Sequence, residues 1–112
     1  MYHWFTPRLQ RIIDVNITWH PRHPELDVEA YTIGDRREAN IEISWQQPLP
    51  DLMVTLAHEL VHAKQYIRGE LSGKHRAWRG KCHVNTQYDQ LPWEQEAYQW
   101  EQTLYDIYWS KP

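Results

Sequence analysis

Residues 51–69 read DLMVTLAHELVHAKQYIRG. The spacing predicts a helix: Asp51 follows Pro50 as an N-cap, the helix runs over about 52–68, and Gly69 stands where a C′ glycine ends it. Mid-helix, between Leu56-Ala57 and Leu60-Val61, lie His58, Glu59 and His62 in the pattern H-E-x-x-H. Residues four apart share one helical face, so both imidazoles can point at one atom. Two histidines and a glutamate on a helix heading into a core are costly without a task. The bland alternative is three polar residues on an ordinary helix. Neutral imidazole suits Zn²⁺. Glu59, turned about 100° from His58, stays outside the ligand set but near a water activated by the metal, where a general base is needed.

A chain of 112 residues is expected to be a single domain spanning 1–112, with a modest core and a shallow cleft. The formal net charge is −3 and no long run of one sign appears, so neither nucleic acid nor a membrane surface is an expected partner. The N-terminal MYHWFTPRLQ lacks the apolar core of a secretory signal, and no stretch approaches about 20 apolar residues. A cytoplasmic location is expected. Cys82 is the only cysteine, which excludes an intrachain disulfide; it is expected as a buried or partly buried thiol. Seven tryptophans and seven tyrosines stand against one phenylalanine. Such side chains bury much area each and help a small chain form a core; they could also line a peptide groove.

Around the central helix, FTPRLQRIID (5–14) reads as a short helix capped by Thr6. VNITWHP (15–21), DVEAYTIG (27–34) and ANIEISW (39–45) alternate as strands, with Ile41, Ile43 and Trp45 sharing one face. Residues 70–90 read as a loop with a possible hairpin. A last helix starts near Pro92 and runs to about Trp109, with Trp93, Ala97, Trp100, Leu104 and Ile107/Tyr108 as its apolar stripe. The fold class is therefore α+β: a small, mostly antiparallel sheet packed on the H-E-x-x-H helix and a C-terminal helix.

A catalytic zinc site takes three protein ligands plus water. The metzincin continuation fails, because Gln65 and Arg68 stand where glycine and histidine are required. Three candidates follow downstream: His75 in SGKHRAW, and Glu94 and Glu96 in PWEQEAY. Periodicity leaves the two glutamates equally placed, on opposite flanks of the stripe. The block HELVHAKQY…RGEL…WRG…PWEQEAY, covering about residues 55–100, resembles small gluzincin-like metallopeptidases common in phage and environmental genomes, a minimal zincin type. His75 gives a partial resemblance to SprT-like proteases, whose Gly-His-Gly context is here Lys74-His75-Arg76. The gluzincin resemblance implies Glu94 as third ligand, with His58 and His62, and Zn²⁺ as cofactor. It departs from that family's Ala-Asp pattern at Tyr98, so Tyr98 or Glu101 would orient a histidine instead. The resemblance also implies a strand beside the site helix, ANIEIS, that pairs with an extended substrate.

His75, His83, Tyr88 and Tyr98 are candidates to stabilise an oxyanion, and His20 and His23 are spaced like ligands but flank prolines. The expected function is zinc-dependent hydrolysis of peptide bonds, with Glu59 as base and a protein or peptide as substrate. The alternative is a zinc-stabilised binding or structural module without hydrolysis, which would favour a fourth protein ligand such as His75.

Overall fold

A computed structural model of the chain describes residues 14–20, 30–44, 48–73 and 76–108. The helix expected over 5–14, and with it His23, Trp45, His75 and Trp109, lies outside these residues; Asp14 instead opens the first strand.

The architecture is α+β. Strands β1 (Asp14–His20), β2 (Ala30–Gly34) and β3 (Glu38–Ser44) form one sheet in the order β1-β3-β2. β2 and β3 are an antiparallel hairpin, whereas β1 runs parallel to β3, Asp14 opposite Glu38 through His20 opposite Ser44. The hairpin turns where Asp35 Oδ1 accepts the Arg37 and Glu38 amides at 2.8 and 3.0 Å. Glycine is required at 34, since a Cβ there would lie 2.6 Å from the Glu38 carbonyl oxygen. ANIEIS is thus the central strand, paired on both sides. The sheet edges among the described residues are β1 and β2, which corrects the expectation of an edge at β3; β2 and β3 both lie against the site helix.

The period-2 pattern of β3 places Ala39, Ile41 and Ile43 fully buried against helix α1 (Leu49–Ile67). Leu52, Leu56, Leu60, Ala63 and Ile67 answer from the helix. α1 starts earlier than expected: Leu49 and Pro50 occupy its first positions, and Asp51 sits inside the first turn, not at the cap. A carboxylate there still faces the positive end of the helix dipole. The C-terminus follows the sequence. Gly69 takes φ +74° and donates to the Tyr66 carbonyl at 2.9 Å, while the Glu70 amide reaches Gln65 at 2.9 Å, a Schellman ending. Gly69→Ala is expected to cost about 1–2 kcal/mol, the penalty of a left-handed non-glycine residue, read as a lower urea midpoint with unchanged slope.

Beyond α1, the expected loop contains a second small antiparallel sheet of β4 (Leu71–Ser72), β5 (Ala77–Trp78) and β6 (Lys81–Cys82). Arg79 and Gly80, both with positive φ, turn β5 into β6. Cys82 is exposed there rather than buried. A short 3₁₀ turn, Tyr88–Gln90, leads into α2 (Pro92–Tyr108), which packs across α1 through Ala57, Val61, Ala97 and Leu104. Trp93 joins Leu71 and Leu91 in a third apolar cluster. Trp100 and Ile107, expected in the buried stripe, are 37% and 49% exposed. No helix among the described residues is long and apolar enough to cross a membrane.

Candidate metal centre

His58 and His62 leave α1 one turn apart, and α2 crosses that face with Glu94 in its first turn. His58 Nε2, His62 Nε2 and Glu94 Oε1 form a near-equilateral triangle with sides of 3.0, 3.2 and 3.2 Å. These three residues are the set of His, Cys, Asp and Glu side chains among the described residues placed to hold a metal ion.

The hydrogen bonds behind the triangle show what its corners are. Glu101, two turns along α2 from Glu94, accepts from His58 Nδ1 at 2.7 Å. Gln65, fully buried, donates its amide N–H groups to the Trp93 carbonyl at 3.0 Å and to Glu96 at 3.1 Å. Its Oε1 is thereby left to accept from His62 Nδ1 at 2.8 Å. Both Nδ1 atoms carry protons, so in the neutral tautomers both Nε2 lone pairs point at a carboxylate oxygen. Three acceptors in contact need a cation or added protons between them. Burial opposes charge on both histidines, but hydrogen bonds to Glu94, with Glu101 adding to His58, outweigh it and raise both pKa values. Glu94 is correspondingly held far below the carboxylate range: burial works against its charge, and both histidines overcome that. A tetrahedral zinc with bonds of about 2.0–2.1 Å separates its ligand atoms by roughly 3.3–3.4 Å. The triangle is within a few tenths of an ångström of that, and two imidazoles with one carboxylate are a known zinc donor set.

Glu59, the residue after His58, stands outside the triangle but lines the same cavities as His58. It is 6% exposed, and its Oε1 accepts from the Thr32 hydroxyl on β2 at 2.8 Å. Burial raises its pKa, against the pull of His62, Thr32 and His58. The result is a carboxylate more basic than usual, pinned by one hydrogen bond from the edge strand.

The remaining candidates separate clearly. Glu96 turns away to Lys64 Nζ at 2.7 Å and to Gln65, and touches the site only through Gln65. His83 bonds Thr86 at 2.9 Å and stacks edge-on against Trp93. His20 pairs with Glu42 across the sheet at 3.0 Å. Tyr98 packs its ring edge-on to His58 at 4.7 Å. Tyr88 comes nearest the triangle, its hydroxyl 3.2 Å from Glu94 Oε1 and 3.3 Å from the Tyr98 hydroxyl. Burial, Tyr98 and Glu94 all push its pKa up, so it stays a donor. The sequence reading missed Thr32 and Gln65. Gln65 lies three residues after His62, a spacing that puts the two side chains together; nothing local marks Thr32.

Two adjoining cavities, about 280 and 400 Å³, open on this cluster and share Ala30, His58, Glu59 and Tyr88. Together they form a groove beside β2 with His58 and Glu59 where the two meet and His62 in the smaller half. Glu101→Gln is expected to weaken zinc binding by about 10–100-fold, the usual cost of losing a carboxylate that orients a ligand histidine. Competition with a chromogenic chelator reads this.

No protein-family model matches the chain, and no curated protein or solved structure matches it significantly.

Proposed function

We propose that the chain is a zinc-dependent metallopeptidase, with His58, His62 and Glu94 as metal ligands and Glu59 as general base. The observation that carries this reading is the pairing of two features on one turn of α1. A triangle of lone pairs has zinc dimensions, and beside it a buried carboxylate outside the triangle has, among the described residues, the Thr32 hydroxyl as its direct side-chain partner. A purely structural zinc site has no use for that carboxylate, and such sites are closed by four protein ligands; the cluster has three members among the described residues.

Zinc held there would supply Lewis acidity, polarising the scissile carbonyl and bringing the pKa of a water toward about 7. The protein's own groups do the rest. Glu59 takes a proton from the attacking water and delivers it to the departing amine. Its raised pKa fits both halves of that cycle, because a stronger base is also a group that can hold the proton until the C–N bond breaks. Thr32 fixes the rotamer of Glu59 from β2, so the strand that borders the groove also aims the base. Tyr88, kept protonated, is placed to donate to the developing oxyanion. β2 is an edge of the sheet among the described residues and borders the groove, where an extended peptide would lie alongside it.

The test is cleavage of a randomised peptide mixture by the purified chain, followed by mass spectrometry. New peptide termini are expected with zinc, are expected to vanish with a chelator, and to return on adding zinc back. A preparation that binds one equivalent of zinc and cleaves no peptide overturns this reading in favour of a zinc-stabilised module without hydrolysis.

A further inference from the structure

The two halves of the groove are chemically unlike. The 280 Å³ half has a wall of Tyr66, Leu71 and Trp93. Leu71 and Trp93 are each 7% exposed and belong to one packed cluster with Leu91, against which Tyr66 and Trp78 rest. This wall is therefore rigid apolar surface. Its volume falls below the roughly 300–1,000 Å³ of drug-sized ligand pockets, which suits one side chain. The 400 Å³ half is lined by Val54, Thr55, Tyr98 and Glu101, besides the groups common to both. Tyr98 is 54% exposed there, and a Glu101 oxygen lies 2.7 Å from His58 Nδ1. Glu59 is common to both halves, and Glu94 adds to the smaller one. No lysine or arginine among the described residues lines either half. A bound dication would face three carboxylates, Glu59, Glu94 and Glu101, and would not make the groove positive.

We propose that the groove selects peptides with a bulky apolar side chain on one side of the scissile bond, seated against Tyr66, Leu71 and Trp93, and a neutral or basic side chain on the other, beside Tyr98 and Glu101. This rests on the metallopeptidase reading and names its substrate class. Among the described residues no lysine or arginine lines either half, and Arg76 lies over the Trp93 ring at 6.0 Å without entering the lining, so an acidic side chain on either flank meets these carboxylates first. A lysine or arginine on the second flank gains the Tyr98 ring and the Glu101 carboxylate.

The experiment profiles cleavage of the randomised peptide mixture by the zinc-loaded chain. In parallel, fluorescence anisotropy measures binding of labelled peptides to zinc-loaded Glu59→Gln, the peptides differing only at the two flanking positions. Expected are enrichment of Leu, Ile, Phe or Met at one flank and depletion of Asp and Glu at both. Replacing the apolar residue by Ala should weaken binding about tenfold or more. Val54→Lys should relax rejection of Glu at the second flank and leave the first unchanged. Leu71→Ala, checked for folding by circular dichroism, should shift the first flank toward larger residues; a variant that fails to fold leaves Val54→Lys as the deciding comparison. Glu59-dependent cleavage with no apolar preference, or with acidic residues favoured, overturns this inference while the peptidase reading stands. Absence of Glu59-dependent cleavage of any peptide overturns both.

Discussion

Zinc-loaded Glu59→Gln is expected to keep its metal and lose peptide cleavage by about 10²–10⁴-fold in kcat/KM, the range of a positioned general base. The substitution changes little else. Glutamine has the same shape, and its amide oxygen can still accept from the Thr32 hydroxyl that now meets Glu59 Oε1 at 2.8 Å. Because Glu59 lies outside the triangle formed by His58, His62 and Glu94, removing its charge leaves the ligands in place. Burial of a neutral amide in place of a 6%-exposed carboxylate also removes a desolvation cost, so the variant should be at least as resistant to urea as the parent. Retained zinc, retained stability and lost turnover form a signature that a packing role cannot produce. Cleavage within tenfold of the parent, measured on the same peptide, would show that some other group accepts the proton.

The α1 stretch carried most of what could be read in advance, for a physical reason. Helical periodicity fixes which side chains share a face, so the meeting of His58 with His62 and the exclusion of Glu59 from their triangle follow from spacing alone. Gly69 ended the helix where expected because glycine, lacking a Cβ, takes this positive φ without steric cost. The strands of the main sheet were legible from alternation, and Ile41 and Ile43 are buried as that pattern requires. Alternation does not say which strand lies next to which. The parallel pairing of β1 with β3, and hence the placement of β2 at the groove, depends on long-range packing. Thr32 was invisible for that reason: it meets Glu59 only because β2 crosses above that residue. On α2 the apolar stripe was read too broadly. α1 covers only the part around Ala97 and Leu104, which leaves Trp100 and Ile107 exposed. Cys82 lies on β6, exposed at both its residues, while the apolar cluster beside the small sheet is met by Leu71 on β4 and Trp78 on β5.

Between Glu94 and Glu96 helical periodicity offers no choice and the family resemblance points to Glu94; paired substitutions test that assignment, which the geometry also favours. Glu94→Gln should lose zinc under conditions where the parent holds one equivalent, because its Oε1 is the corner of the triangle that both imidazoles face. An amide oxygen is a weak substitute for a carboxylate against a dication. The loss should also appear as stability: metal at about 100 times its Kd adds roughly 2.7 kcal/mol to the folded state, so zinc should raise the unfolding temperature of the parent and not of the variant. Glu96→Gln should behave in the opposite way. Its carboxylate is taken by Lys64 at 2.7 Å and Gln65 at 3.1 Å. Lys64, itself 8% exposed, would be left with Glu70 at 3.2 Å. The expected cost is about 1–3 kcal/mol of stability without zinc, from a largely buried charge that loses one of its partners. Gln65 would still hold His62 through the bond at 2.8 Å and the Trp93 carbonyl at 3.0 Å, so zinc affinity should fall by less than tenfold. Metal analysis and thermal melts with and without zinc separate the two variants. If Glu96→Gln emptied the site and Glu94→Gln left it filled, the ligand assignment would be reversed.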